Sequence, residues 1–169
     1  DFIKMAHDNY GKDAEEFLKY FPAGTDEEAA YSQLKISRDM IFAVSGYKWA
    51  TLQAQRKEPI YVYYFKHKLP ATLDFEKYGA FHTGEVAYIM DNLKSLNRPW
   101  KAEDQPLANQ MSAYWANFIK NSNPNGPGLP AWPKYNNTDS QAMVFGDKAY
   151  KNRLPDIEEY QFMLKEGEK

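Results

Sequence analysis

The run PIYVYYFKH, residues 59–67, constrains the fold more than any other stretch of this chain. From Ile60 to Phe65 every position is apolar or aromatic, so an extended strand here would present nonpolar side chains on both of its faces. Such a strand is typical of the interior of a parallel sheet, which is covered on both faces. His67 ends the run without an evident partner in the sequence, and we expect it to be a solvated strand-end residue.

Apolar residues at helical spacing dominate the rest of the N-terminal third. Residues 1–22 predict two short helices separated by Gly11. Thr25 followed by Glu28 predicts a capping box that begins a further helix, which runs to about Arg56. The expected apolar face of that helix consists of Ile36, Met40, Val44 and Tyr47.

The C-terminal half also has a readable order. Residues 102–122 predict a strong amphipathic helix, and the Pro and Gly content of residues 123–135 excludes regular structure. AMVFGD, residues 142–147, predicts a short strand, and residues 155–167 predict a terminal helix.

Composition excludes several classes of function. The chain of 169 residues with 43% hydrophobic content is long enough for one domain with a core. Its formal net charge of −2 supplies no attraction to nucleic acid or anionic lipid, and no apolar run is long enough to span a membrane. The absence of Cys removes disulfides, thiolate metal sites and cysteine nucleophiles. We expect neither a nucleic-acid partner nor a membrane span.

One histidine lies in a setting that suits chemistry. In GAFHTGEVAYIM, residues 79–90, His82 falls between a small-residue turn and an amphipathic segment. Thr83 is a candidate N-cap of a helix, and Glu85 would then lie in its first turn, where negative charge is favourable. The loop follows the predicted strand, and catalytic groups gather at the carboxyl ends of strands in open α/β sheets. From these residues alone, His82 is either structural or a general base.

A complete catalytic apparatus is not visible in the sequence. No G-x-S-x-G motif occurs, so the strained turn that exposes the serine of α/β-hydrolases is missing. His82 and Glu85 together provide too few ligands for Zn²⁺, and Gly-rich phosphate loops are absent. We therefore expect no metal and no cofactor.

Two segments carry a resemblance to a known family. GAFHTGEVAYIM closely resembles the catalytic-histidine segment of the type-B carboxylesterase and cholinesterase family. YWANFIKNSNPNGPGLPAWPKY, residues 114–135, resembles the family's Trp-bearing helix, Asn-Pro-Asn loop and Trp-Pro turn. PIYVYYF and AMVFGD resemble the strand before the histidine and the late edge hairpin. The resemblance extends from Asp1 to the C-terminus and implies the C-terminal part of an α/β-hydrolase fold, mostly helical, with a few strands and an incomplete sheet.

The resemblance implies a carboxylic ester hydrolase that acts through an acyl-enzyme. Residues 1–169 would form a single C-terminal segment of the carboxylesterase domain, because the family's serine elbow, oxyanion loop and triad acid lie upstream. His82 then matches the triad base, Glu85 the buried carboxylate beside it, and Phe81 a candidate substrate contact. The chain alone is expected to be inactive. Since it opens at Asp1 without an initiator Met, we expect a processed or truncated product. The compartment stays open, with export favoured over the cytoplasm.

Alternatives remain open at this point. The protein is otherwise a non-catalytic adhesion or binding relative of the same family, or an autonomous helical module with chance similarity. Glu85 is otherwise a helix N-terminal charge without a catalytic role, and Phe81 otherwise packs in the core. The expected partners are a small-molecule ester, the missing N-terminal part of the protein, and a second copy bound through an exposed sheet edge.

Overall fold

The computed structural model describes residues 2–71 and 79–167, which form a mostly helical α/β structure. Its helices are α1 (Phe2–Tyr10), α2 (Ala14–Tyr20), α3 (Asp26–Arg38), α4 (Val44–Gln55), α5 (Val86–Ile89), α6 (Asp104–Asn121) and α7 (Ile157–Gly167). Its strands are β1 (Tyr63–Phe65), β2 (Gln141–Phe145) and β3 (Ala149–Arg153). Two compact units are present: residues up to Arg56 together with those from Asp156 onward, and Lys57–Pro155.

The helices of the first unit begin where the sequence predicts. A 3-10 turn, Gly11–Asp13, separates α1 from α2. The Thr25 Oγ1 accepts a hydrogen bond of 3.2 Å from the Glu28 N–H, and Glu28 Oε2 accepts one of 2.8 Å from the Gly24 N–H. The capping box is therefore confirmed, with the glutamate reaching one residue further back than in the usual arrangement.

The long helix predicted after Thr25 is interrupted by a π turn, Asp39–Ala43, between α3 and α4. A π turn holds an additional residue, so the side-chain spacing of a regular helix does not hold within it. Inside this turn Asp39 is 1% exposed, whereas Met40, predicted on the apolar face, is 49% exposed. That prediction was wrong for Met40 but is confirmed for Val44 and Tyr47, which are buried.

The core of the first unit is rich in aromatic rings. The Phe17 ring lies 4.1 Å from the Tyr10 ring and 4.8 Å from the Phe21 ring, measured between centroids. Phe162 of α7 lies 6.4 Å from Phe17. Full burial of each such side chain contributes about 1.5–3 kcal/mol, which attaches α7 to α2.

The second unit contains a three-stranded sheet in the order β1-β2-β3. Strands β1 and β2 are parallel, with Tyr63 opposite Met143, and β2 and β3 are antiparallel. The prediction of a strand covered on both sides over Ile60–Phe65 was wrong in extent: β1 is only three residues long, and Tyr63 is 36% exposed. Among the described residues, β2 is the one strand that pairs with β1, and no strand of that part of the chain lies along the other edge of β1.

The segment 123–135 has no helix or strand, as predicted, and is instead organised around Trp132. The Trp132 Nε1–H donates to the Val62 carbonyl at 3.0 Å, and the Trp132 ring lies 5.2 Å from that of Tyr114. The core around these rings consists of Leu69, Ala87, Tyr88, Leu93, Leu107, Ala108, Met111, Tyr114, Trp132, Met143 and Phe145.

The remaining predicted elements are also present. Helix α6 covers almost all of residues 102–122, and β2 and α7 coincide with the predicted late strand and terminal helix. None of the helices in residues 2–71 and 79–167 has the length and apolar character needed to cross a membrane.

Candidate functional site

His82 lies on a tight turn between residue 79 and the start of α5. Gly79 has φ of +54°, a left-handed conformation that glycine adopts without steric cost, as expected for a small-residue turn. The Gly84 N–H donates to the Phe81 carbonyl at 2.9 Å. The His82 side chain itself is exposed to solvent.

Thr83 does not cap the following helix, so that prediction was wrong. Helix α5 begins at Val86, with Glu85 in the N-cap position and no side-chain cap. Thr83 instead has φ of +68°, and its Oγ1 donates to the His82 carbonyl at 2.5 Å. A positive φ is unusual for a β-branched residue and costs on the order of 1–3 kcal/mol, so the backbone beside His82 is strained.

Glu85 connects the histidine turn to the sheet. Its Oε1 accepts a hydrogen bond of 3.3 Å from the Tyr63 hydroxyl of β1. Burial raises the pKa of Tyr63 to about 12, and the negative charge of Glu85 adds to the rise because it disfavours the phenolate. Glu85 was expected to be buried but is half-buried, so its carboxylate lies at the boundary between solvent and sheet.

Phe81, the third predicted site residue, is partly open to solvent. Its ring is 37% exposed, and the guanidinium carbon of Arg98 lies 5.2 Å from the ring centroid, a cation–π contact. Arg98 Nη1 also donates to the Pro70 carbonyl at 3.1 Å. Phe81 is thus held at the surface of the turn and is not part of the core.

The expectation of a solvated His67 was wrong. His67 is 5% exposed, and its Nε2 lies 2.9 Å from Oδ1 of Asp104, the first residue of α6. The Tyr88 hydroxyl of α5 donates to the same Oδ1 at 2.6 Å, and the Lys101 N–H donates to Asp104 Oδ2 at 2.6 Å. We call His67, Tyr88 and Asp104 the buried polar cluster.

The protonation state of this cluster follows from its contacts. Burial alone would raise the pKa of Asp104, but the hydrogen bonds from Tyr88, from the Lys101 backbone and from His67 outweigh it and lower that pKa. Burial and the hydrogen bond to Asp104 raise the pKa of Tyr88. Asp104 is therefore a carboxylate that only accepts, so His67 Nε2 donates to it.

Sequence reasoning missed this cluster because its members lie on three separate elements. One signal pointed to it: His67 follows the apolar run at the carboxyl end of a strand, where polar side chains from neighbouring elements meet. Within residues 2–71 and 79–167, no group of three or more His, Asp or Glu side chains is arranged to hold a metal ion.

Comparison with known proteins identifies relatives over most of the chain. The profile of the carboxylesterase family matches residues 4–163. Carboxylesterase 4A of Bos taurus is 35% identical over 104 residues, covering 61% of this chain and 19% of its own length. The cocaine esterase of Homo sapiens is 30% identical over 122 residues, covering 69% of this chain and 22% of its own length.

A solved structure supports the fold. The crystal structure of the carboxylesterase EST55 of Geobacillus stearothermophilus matches with a TM-score of 0.68 and 25% identity, covering 88% of this chain and 31% of the other. The predicted fold class is thereby confirmed: a mostly helical part of an α/β-hydrolase with an incomplete sheet. The chain spans about a fifth of the length of the curated relatives it matches.

Proposed function

The chain belongs to the carboxylesterase family, and we propose that it supplies His82 as the general base of a serine ester hydrolase. The observation that carries the proposal is the position of His82: an exposed side chain on a strained turn that follows a sheet strand, inside the matched residues 4–163. Backbone strain of this kind concentrates at functional sites. A serine nucleophile, a triad acid and oxyanion donors are proposed to come from a longer polypeptide that contains the chain.

In the proposed reaction His82 moves a proton twice. The serine Oγ attacks the ester carbonyl carbon while its proton passes to the imidazole, and the tetrahedral intermediate then expels the alcohol, which takes that proton. Water attacks the resulting acyl-enzyme, again giving a proton to His82. Collapse of the second intermediate returns the proton to serine and releases the carboxylic acid. A histidine suits both transfers because its unperturbed pKa lies near neutrality.

Glu85 and Phe81 have supporting parts in this proposal. The bond from Tyr63 to Glu85 ties the turn to the first residue of β1, so Glu85 holds the loop against the strand. Phe81, adjacent to His82 and 37% exposed, is placed to contact a bound ester. For Glu85 the alternative is a charge that only stabilises the start of α5.

The partner proposed for the chain is the remainder of the same domain. Large apolar side chains on α3, α4 and the π turn between them are open to solvent: Tyr31, Leu34, Ile41, Phe42, Trp49 and Leu52. Large exposed apolar side chains on neighbouring elements are typical of a contact surface. Within residues 2–71 and 79–167 the edge of β1 opposite β2 has no neighbouring strand, so a strand from the rest of the domain or from a second copy is proposed to pair there.

The first test compares two exposed histidines. In the longest polypeptide encoded by the reading frame that contains this chain, we expect His82→Ala to lower kcat on a chromogenic short-chain ester by at least about 10³-fold. His7→Ala, on α1 in the first unit, is the matched control and is expected to keep full activity. Unchanged turnover in His82→Ala would refute the assignment.

The second test compares the chain with the longer polypeptide. A lone histidine provides only general-base catalysis of about 10²–10⁴-fold, so the isolated chain is expected to show no measurable turnover. Equal specific activity in the two proteins would contradict the proposal. A folded longer polypeptide without any esterase activity would instead favour the non-catalytic binding or adhesion relative.

A further inference from the structure

We infer that the buried polar cluster of His67, Tyr88 and Asp104 is a positioning device that sets where His82 lies. The inference rests on the proposed role of His82. The three residues come from the segment after β1, from α5 and from the start of α6, and α5 directly follows the histidine turn. None of them is placed in contact with substrate, so each acts through the turn.

The cluster fixes α5 through a single oxygen. Tyr88 and His67 both donate to Asp104 Oδ1, at 2.6 and 2.9 Å, while Oδ2 accepts from the Lys101 N–H. Hydrogen bonds to a charged acceptor are stronger and shorter than neutral ones. Because Tyr88 and Asp104 are fully buried, water cannot replace a lost bond without opening the core.

A continuous series of backbone turns links Tyr88 to His82. The Gly84 N–H donates to the Phe81 carbonyl, the Val86 N–H to Thr83 and the Tyr88 N–H to Glu85, at 2.9, 3.1 and 3.0 Å. Each bond spans three residues, so no free hinge lies between the histidine and the tyrosine. A displacement of Tyr88 is therefore transmitted to the backbone of His82.

The other side of the cluster supports the same turn. Leu69, which follows His67 closely in the chain, is 4% exposed, and a Cβ atom on Gly84 would lie 3.0 Å from its Cδ1. The turn thus rests on the segment that His67 holds in place. Tyr88 fixes the C-terminal end of the turn, and Leu69 packs against the turn at Gly84.

The chemistry of the cluster argues for orientation as well as stability. A buried carboxylate carries a desolvation penalty, and apolar side chains of the same volume usually fill such a site at equal or lower cost. A fully satisfied hydrogen-bond network selects one conformation, because only one arrangement satisfies all donors and acceptors. In this protein the network fixes the position of the turn that carries His82.

The test compares two buried tyrosines whose hydroxyl groups bind different acceptors. Tyr88 and Tyr114 are both fully buried in the second unit, and each hydroxyl donates one bond of 2.6 Å, to Asp104 and to the Pro130 carbonyl. In the 169-residue chain, amide hydrogen exchange is measured by NMR for Tyr88→Phe and Tyr114→Phe. The reporters are the bonded amides of Gly84 and Val86 and, near Pro130, the amide of Leu129.

We expect Tyr88→Phe to accelerate exchange at Gly84 and Val86 at least tenfold more than at Leu129, and Tyr114→Phe to do the reverse. Equal acceleration at both places, or none at the turn, would overturn the inference. Asp104→Asn keeps the shape of the side chain, removes its charge and places an NH₂ donor where an oxygen accepts; we expect acceleration at the same turn amides. Unchanged exchange rates at Gly84 and Val86 in Asp104→Asn would also contradict the positioning role of the cluster.

Kinetics then separate positioning from stability. In the longer polypeptide we expect Tyr88→Phe to lower kcat about tenfold with KM changed less than threefold, and Tyr114→Phe to leave both constants within twofold. Equal kinetic effects of the two variants would overturn the inference. If His82→Ala retained activity, the proposed function would fail, whereas the exchange experiment in the chain would still decide whether the cluster holds the turn.

Discussion

The Tyr63 hydroxyl donates to Glu85 Oε1 across 3.3 Å, which joins strand β1 to the turn that carries His82. We predict that Glu85→Gln lowers the pKa of Tyr63 from about 12 towards the ordinary value of about 10, because the variant removes a negative charge that disfavours the phenolate. The measurement is an NMR titration of tyrosine Cζ resonances. Tyr114, whose pKa burial alone raises to about 12, is the internal reference and should not move. An unaltered Tyr63 titration would mean that burial accounts for the whole rise.

Gly84 is expected to tolerate no side chain. A Cβ atom there would lie 3.0 Å from Leu69 Cδ1 and 3.0 Å from the Phe81 carbonyl oxygen, and the carbonyl belongs to the turn and cannot move aside. We predict that Gly84→Ala lowers the free energy of unfolding by about 1–3 kcal/mol, measured by urea denaturation.

Gly46→Ala is the matched control for that substitution. Gly46 lies inside α4, and a Cβ atom added there would meet no neighbouring atom within 4 Å, so alanine enters open space. Replacing a helical glycine by alanine raises stability by about 0.5–1 kcal/mol. Opposite signs for the two variants are expected; a neutral Gly84→Ala would show that the turn relaxes easily.

The first unit contains a buried charge cluster whose stability depends on pH. The Lys35 ammonium contacts both Asp39 and Glu159, and Arg38 Nε donates to Asp39 Oδ1 at 2.6 Å. Burial raises the pKa of Glu159 to about 7 and the Asp39 carboxylate adds to the rise, while Lys35 opposes it. Burial alone would raise the pKa of Asp39, but Arg38 and Lys35 outweigh it and lower that pKa.

These shifts act in opposite pH windows. Glu159 binds its proton more tightly when folded, so we predict that raising the pH from 4.5 to about 7 lowers the free energy of unfolding by on the order of 1–3 kcal/mol. Asp39 contributes stability above its ordinary pKa near 3.8, and that contribution is lost as the pH falls further. Glu159→Gln should abolish the slope above pH 4.5, in urea titrations at several pH values, and the exposed Glu158→Gln should retain it. A slope that survives in Glu159→Gln would assign it to other groups.

Asn125 holds the segment that carries Trp132. Its Oδ1 accepts from the Trp132 N–H at 2.6 Å, and its Nδ2 donates to the Trp132 carbonyl at 3.0 Å. Asn125→Asp would place a carboxylate oxygen against that carbonyl, so we predict a loss of about 1–3 kcal/mol in the free energy of unfolding. The exposed Asn97→Asp is the control and should change it by less than about 0.5 kcal/mol. A similar loss in both variants would show that the added charge matters more than the lost donor.

Local patterns were sufficient to predict most of the elements. The capping box at Thr25, the separation of α1 and α2 at Gly11, and helix α6 follow from interactions between residues close together in the chain. The motif around His82 indicated the family, which the comparisons bear out, although its catalytic role stays a prediction. In each case a short segment contains all the atoms that decide its conformation.

The tertiary structure decided which side chains from distant parts of the chain are in contact. His67 was expected in solvent, yet Asp104 and Tyr88, distant in sequence, enclose it and supply its acceptor. Met40, predicted to be buried, lies inside the π turn, where the regular helical spacing that placed it on the apolar face does not hold. The burial of a side chain and its hydrogen-bond partners depend on which elements pack together. The hydrophobic periodicity of a single segment contains no information about that packing. The sequence by itself therefore determined most of the elements and the histidine motif, and packing alone decided which polar groups hold that histidine's turn.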